Sequence, residues 1–307
     1  MTNNNHDLAR YIPSEVRRTV RQRDGFGCIV CGSFFYHYDH LGIEFKDAKL
    51  HEADNIVLLC GGCHDRKNRG ALSTETIKIA AKNPRCKQKS FSWGPLDTGL
   101  EHPIVQMGSL IASNVKSLIR VDGEDVFSIS PPSEEGSPFT INAKIYDRGG
   151  RLILRIVESE VQVLGISWDV EVVGQRVIIR SFSGIFDLIL RVEPPRKIII
   201  ERMNMVYKGL AISCSEGKAL SVEFGGMVMS IQSAEVSGGD TMFDLSSSGF
   251  EFSSGSGIIT GFTLGPSEHN SPSVPMSFSD QRFPRQPRNE LCSCGSGKKY
   301  KRCHGAL

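Results

Sequence analysis

Cysteine-rich ends around a β-patterned middle predict a multidomain, mainly β chain. Three observations carry that expectation. Two C-x-x-C pairs, Cys28/Cys31 and Cys60/Cys63, lie near the N-terminus. Cys292, Cys294, Cys303 and His304 crowd the C-terminus. Between them, short runs of β-branched and aliphatic residues alternate with Gly and Pro. A length of 307 residues suits two or three domains. The predicted order is a small cysteine-clasped domain (1–82), a linker (83–103), a β-rich domain (104–264), a flexible tether (265–288) and a short C-terminal cysteine cluster (289–307).

Residues 14–23 place Val16 and Val20 four apart among basic residues, with Ser14 as N-cap after Pro13 and Asp24-Gly25 as the stop, which predicts a short amphipathic helix. Cys28 opens a knuckle that leads into the aromatic run Phe34-Phe35-Tyr36, suited to a strand, and Ile56-Val57-Leu58-Leu59 is a second strand signal. Residues 64–69 read as helical. Pro84, Pro95 and Pro103 without periodicity mark the linker. From Phe139 to about Leu264 the strand signals are 152–157, 177–179, 188–190, 198–200, 220–224 and 258–259. The landmarks Leu152, Val177, Ile198 and Leu220 are spaced by 25, 21 and 22 residues, and both a solenoid and a sandwich fit. The Ser/Gly-rich tract 246–257 reads as thin last rungs of a solenoid, with an edge suited to self-association. The Pro/Ser-rich residues 265–288 form the tether.

Composition narrows the class of partner. Residues 1–90 carry 15 Lys/Arg against 10 Asp/Glu, residues 91–280 carry 14 against 23, and residues 281–307 carry 7 against 1. Two basic ends around an acidic middle point to a polyanion partner at the ends. No apolar run approaches the ~18 residues of a membrane span, and residues 1–6 have neither a cationic nor an apolar signal region, so a cytoplasmic location and no membrane partner are expected. In a reducing compartment, cysteines paired at this spacing are metal ligands more often than disulfides, because two thiolates two residues apart face one ion. Two structural Zn2+ sites are expected, the first clasping the whole N-terminal unit through Cys28, Cys31, Cys60 and Cys63. Cys86 and Cys214 stand alone and read as small hydrophobes.

Between the knuckles lie Asp39-His40 and Asn55, followed by Cys63-His64 and Lys67-Asn68. Cys28-x2-Cys31-Gly32, Asp39-His40, Asn55-Ile56-Val57-Leu58-Leu59-Cys60 and Cys63-His64-x2-Lys67 together resemble the HNH endonuclease family of the four-cysteine zinc type, over residues 14–72. The resemblance implies a zinc-stabilised ββα-metal fold, with Asp39 and His40 at the end of a β-hairpin, His64 on the following helix, and Asn55 tethering the loop of the base. Phosphodiester hydrolysis needs an activated water and a cation on the phosphate. A neutral imidazole suits the first, which favours His40 as general base. Asp39 and His64 suit a catalytic divalent cation such as Mg2+, Mn2+ or Ni2+. Arg66 and Lys67 read as phosphate contacts, His37 and His51 as surface residues, and Asn68 either as a further metal-side residue or as a helix C-cap.

The run from Arg288 to Gly305, with Cys292, Cys294, Cys303 and His304 as the four zinc ligands, is similar to the SEC-C motif, a small zinc hook that implies docking to a protein partner or nucleic acid. The expected function is therefore metal-dependent hydrolysis of DNA, with self-association through the β-rich domain and, by fold-level analogy, a role in anti-phage defence. The alternative is a catalytically inactive, zinc-dependent nucleic-acid-binding or adaptor protein.

Overall fold

The computed structural model describes residues 3–246, 249–252 and 255–267. In chain order it contains α1 Ser14–Asp24, β1 His37–His40, β2 Ile56–Leu59, α2 Gly61–Asn68, α3 Thr74–Lys82, α4 Arg85–Lys89 and β3 Phe91–Pro95. Strands follow without another helix: β4 Ile104–Met107, β5 Leu110–Ser113, β6 Ser117–Val121, β7 Glu124–Ser130, β8 Thr140–Tyr146, β9 Leu152–Val157, β10 Glu160–Leu164, β11 Asp169–Val173, β12 Arg176–Phe182, β13 Ile185–Glu193, β14 Lys197–Tyr207, β15 Leu210–Ser215, β16 Leu220–Phe224, β17 Met227–Ser237, β18 Thr241–Ser246, β19 Gly249–Phe252 and β20 Ser256–Pro266. The chain is mainly β and multidomain, and among the described residues no helix is long and apolar enough to cross a membrane.

Strand β2 is the axis of the N-terminal unit. All four of its residues are buried, because each face meets a different layer. Ile56 and Leu58 pack with Val20 of α1, whereas Val57 and Leu59 pack with Cys28, Cys63 and Ile77. β1 pairs antiparallel with β2, with Asp39 opposite Val57 and His40 opposite Ile56. The expected first helix forms, but its N-cap is Pro13 and Ser14 is already helical; a proline ring cannot supply a capping oxygen, so that end has no side-chain cap. Gly25 closes it in the left-handed conformation, φ +79°, donating its N–H to the Arg21 carbonyl. The second helix begins at Gly61 rather than at residue 64, because the Cys60 thiol caps it by accepting from the Cys63 N–H. The aromatic run 34–36 precedes β1 instead of forming it. Phe34 is buried there, its N–H bonded to the Trp93 carbonyl.

Residues 83–103 are not a linker. They contain α4 and β3, and β3 pairs along its whole length with β10 while its other edge bridges Trp93 to Ser33 of the knuckle. No hydrophobic alternation announces this strand, since its buried positions are Ser92 and Gly94. The reason for the small residue is spatial: a Cβ on Gly94 would lie 2.7 Å from the Phe34 ring.

The remaining strands form two sheets. The eight-stranded sheet runs β19-β18-β6-β7-β8-β9-β10-β3, and the ten-stranded sheet runs β11 through β17 and then β5-β4, with β20 added on β17. Side chains of both enter one core, Phe127, Leu154 and Val163 from the first and Met203, Ile212 and Val222 from the second. Of the two expected architectures this is the sandwich, because successive strands return antiparallel beside one another rather than coiling onward. Val177, Ile198 and Leu220 lie in β12, β14 and β16, alternate strands of one meander, so the apparent repeat of 21 and 22 residues is the period of a strand pair with its turns. β20 ends at Pro266, which makes the start of the expected tether a strand. The C-terminal cluster, residues 289–307, lies outside the described residues.

The N-terminal unit is seated on the ten-stranded sheet by a buried ion pair. Arg21 of α1 is 3% exposed and reaches Asp169 at the start of β11 through two bonds of 2.8 and 2.7 Å. A third donor of the same guanidinium meets the Tyr38 hydroxyl at 2.8 Å, inside β1. Burial works against the Arg21 cation, but the Asp169 carboxylate more than offsets it, so the guanidinium titrates above its ordinary value.

Candidate metal centre and catalytic cleft

The knuckles converge. The sulfur atoms of Cys28, Cys31, Cys60 and Cys63 all lie within 4.8 Å of one another, the one group of three or more such ligands that the described residues bring together. All four are free thiols. Local chemistry builds the clasp from both ends. Gly32, at φ +90°, closes the first knuckle by donating to the Cys28 carbonyl at 2.9 Å, and the Trp93 indole N–H holds the Cys31 carbonyl at 3.1 Å. On the second side, Cys60 sits at the N-terminus of α2, where its sulfur accepts the Cys63 N–H at 3.3 Å.

Four sulfurs this close cannot all ionise alone. The Cys31 thiol donates to Cys28 and holds that neighbour down to about 5, while Cys31 itself is pushed up; burial and the neighbouring sulfurs push Cys63 up to about 12. A divalent cation removes that conflict. The donor set, four cysteine sulfurs close enough to share one ion, fits a structural zinc ion. The lone thiols differ. Burial pushes Cys86 and Cys214 up to about 12, which suits inert apolar packing.

On the other side of β1 lies a cleft of about 710 Å³. Asp39, His40, His64, Lys67 and Asn68 line it together. Asp39 is the hub: one carboxylate oxygen is 3.4 Å from His64 Nε2, and the other receives Lys67 Nζ. Lys67, expected to touch phosphate, thus neutralises Asp39 and also donates to the His40 carbonyl at 3.3 Å. Arg66 is exposed one residue earlier. Asn68 is the last residue of α2 and its side-chain amide meets His64 Nδ1 at 3.3 Å, a contact that orients the imidazole. His40 Nε2 is buried without a hydrogen-bond partner among the described residues. Burial, with His51 nearby, lowers the His40 pKa and favours the neutral ring. The Asn55 side chain bonds Glu52 at 2.6 Å, whereas its backbone carbonyl accepts the Leu41 N–H at 2.8 Å and pins the turn after His40.

Several contributors carry no sequence signal. His51, read as a surface residue, is half-buried: its Nε2 bonds the Ala9 carbonyl at 2.8 Å, and its ring lies 5.7 Å from that of His40. Asn4 bonds the carbonyls of Phe45 and Ala48, both at 2.6 Å, so an N-terminal arm straps the loop behind the histidine. Only the fold brings residues 4–9 to this loop. His37 is exposed on the strand.

Comparison with known proteins matches the SEC-C motif model to residues 288–306. The chain is 79% identical over 24 residues to the protein translocase subunit SecA of Albidiferax ferrireducens and 63% identical over 35 residues to that of Rickettsia typhi, matches covering 8% and 11% of this chain and 3% of each relative. A probable HNH endonuclease of Lactococcus phage SK1 is 39% identical over 61 residues, covering 17% of this chain and 64% of that protein. The chain therefore spans only a few per cent of the SecA relatives it matches. No solved structure matches.

Proposed function

We propose that the chain is a metal-dependent HNH-type endonuclease that hydrolyses phosphodiester bonds in DNA. The observation that carries the reading is the convergence of Asp39, His64 and His40 on one cleft beside a four-cysteine clasp. The strand–strand–helix order of β1, β2 and α2 and the similarity to the probable phage HNH endonuclease support it.

Asp39 and His64, already 3.4 Å apart, would hold a divalent cation, which would supply positive charge at the scissile phosphate. His40 accepts the proton of the attacking water at Nε2, an atom the fold leaves unpaired among the described residues. The backbone bond from Leu41 to Asn55 and the Lys67 contact with the His40 carbonyl hold that base in place. With a cation held at Asp39, Lys67 would no longer be needed to neutralise that carboxylate and would be free to meet a phosphate oxygen. A purified chain with supercoiled plasmid is expected to cut with Mg2+, Mn2+ or Ni2+ and not with EDTA. His40→Ala is expected to lower the rate by about 10²–10⁴, the usual worth of a general base, with DNA affinity retained.

One observation favours a second reading. The Lys67–Asp39 ion pair satisfies the carboxylate without any metal, as a non-cutting nucleic-acid-binding or adaptor domain would require. Absence of cleavage under all three cations would establish that reading over the first.

The C-terminal motif is proposed as a second zinc site, with Cys292, Cys294, Cys303 and His304 as ligands. A chain ending at residue 287 is expected to contain about one zinc fewer by elemental analysis while keeping its cutting rate at saturating DNA. A collapse of that rate would place the motif in the catalytic assembly. Self-association is proposed through β20, where Ile258 is 71% exposed and Leu264 is 48% exposed.

A further inference from the structure

The N-terminal unit carries a second cleft, of about 730 Å³, on the far side of α3 from the catalytic one. Thr74, in the first turn of α3, lines the catalytic cleft, and Thr76 and Ile79 line the second. From residue 71 to residue 96 the sequence holds five cations, Lys78, Lys82, Arg85, Lys87 and Lys89, and one acid, Glu75. All five are exposed and none forms an ion pair among the described residues; Arg85 and Lys89 line the cleft, with Glu160 from β10 as the acid in its lining, and the other three stand on the helices around it. Elsewhere the chain pairs its cations readily, as Arg120, Arg151 and Arg191 do with neighbouring carboxylates. Uncompensated like charges packed on two short helices repel one another, an arrangement favoured when a polyanion neutralises them.

Two aromatic rings, Phe91 and Trp93, line this cleft. Trp93 is held by its indole bond to the Cys31 carbonyl, and its ring lies against Gly32 of the knuckle, where a Cβ would approach it to 3.3 Å. Phe91 lies between Lys89 and Arg155, at 5.9 and 5.8 Å from the ring centroid. Aromatic rings beside cations without carboxylate partners are what a single nucleic-acid strand uses, with bases stacking on the rings and phosphates paired with the cations.

We propose that this cleft is a nucleic-acid exosite that grips a strand flanking the one presented to the catalytic cleft. The proposal deepens the nucleic-acid reading given above and rests on it. Charge together with aromatic stacking distinguishes this ligand from an acidic polypeptide, which matches the cations but not the rings.

The test measures binding, not cutting. A full-length, zinc-loaded His40→Ala chain and the same chain with Lys82→Gln, Arg85→Gln and Lys89→Gln are titrated with a labelled single-stranded DNA across a range of salt. All three added changes are exposed, and zinc content with thermal melting verifies the fold. The slope of log affinity against log salt is expected to become shallower by about 2, at ~0.7 for each phosphate that is no longer neutralised. With Trp168→Phe, Trp93 is the remaining tryptophan, and its emission is expected to be quenched as the DNA binds. An unchanged salt slope, unquenched Trp93 emission, or equal competition by polyglutamate each overturns the exosite. Wild-type cleavage is scored separately: an uncut plasmid with a changed slope removes the nuclease and leaves the exosite, and the converse removes only the exosite.

Discussion

Replacing Cys63 with Ser is expected to release the knuckle zinc and unfold residues 28–72 while the sandwich stays folded. The apolar cluster around the sulfurs is small. Apart from the cysteines it has Ile29, Val57, Leu59, Leu72 and Ile77 buried, and at roughly 1.5–3 kcal/mol per side chain these do not offset the roughly 1–2 kcal/mol per residue that ordering residues 28–72 costs, so the fold of this unit depends on a structural zinc whose binding contributes about 10–16 kcal/mol in comparable small domains. Ser offers a harder, weaker ligand than a thiolate, and the three remaining sulfurs return to the mutual conflict that keeps Cys31 protonated. Hydrogen exchange should show protection lost in β1, β2 and α2 and kept in β12 to β16, with elemental analysis showing about one zinc fewer per chain. Full zinc content with unchanged exchange would refute the clasp.

Asp169→Ala is expected to cost about 3 kcal/mol, because it takes from a buried cation the carboxylate that holds it by two bonds rather than removing a weak surface contact. Arg21 has a side chain 4% exposed and Arg180, at 16%, shares the same carboxylate at 3.2 Å. Glu171, 3.4 Å from a third guanidinium nitrogen, stays in place and keeps part of the charge paired, which holds the loss to the lower end of the range for a broken buried pair. The double variant Arg21→Met/Asp169→Ala should recover much of the loss, since a pair replaced by apolar side chains leaves no orphan charge. Thermal melting separates the outcomes: a drop on the order of 10 °C for the single change, at ~2–4 °C per kcal/mol, largely restored in the double. If the single change melts like the wild type, α1 is not anchored through this pair. The Tyr38 hydroxyl also loses the donor that Asp169 holds in place, so the strand bearing Asp39 and His40 should loosen as α1 lifts from β11.

Much of the N-terminal unit was legible because its signals are local. A C-x-x-C pair can face one ion by chain geometry alone, and the thiolate chemistry selects the metal. Ile56–Leu59 is a continuous apolar run because both faces are covered, and the runs at 152–157 and 220–224 are strands to the residue. β3 was not legible, since its buried residues are Ser92 and Gly94, and the smallness of Gly94 answers to Phe34, sixty residues away.

The candidate site divides in the same way. The sequence by itself determined which atoms are present for chemistry: the cysteine ligands, an acid and imidazoles at a strand end and a helix start, and a basic segment at 78–89. The tertiary structure decided what each one meets. Lys67 lies against Asp39 because the fold brings α2 beside β1, His51 is held by Ala9 because an N-terminal arm returns to it, and Arg21 finds Asp169 across 148 residues because α1 packs on β11. Spacing of a few residues is set by backbone geometry, whereas partners far apart in the chain depend on which surfaces bury against each other, and no local pattern encodes that.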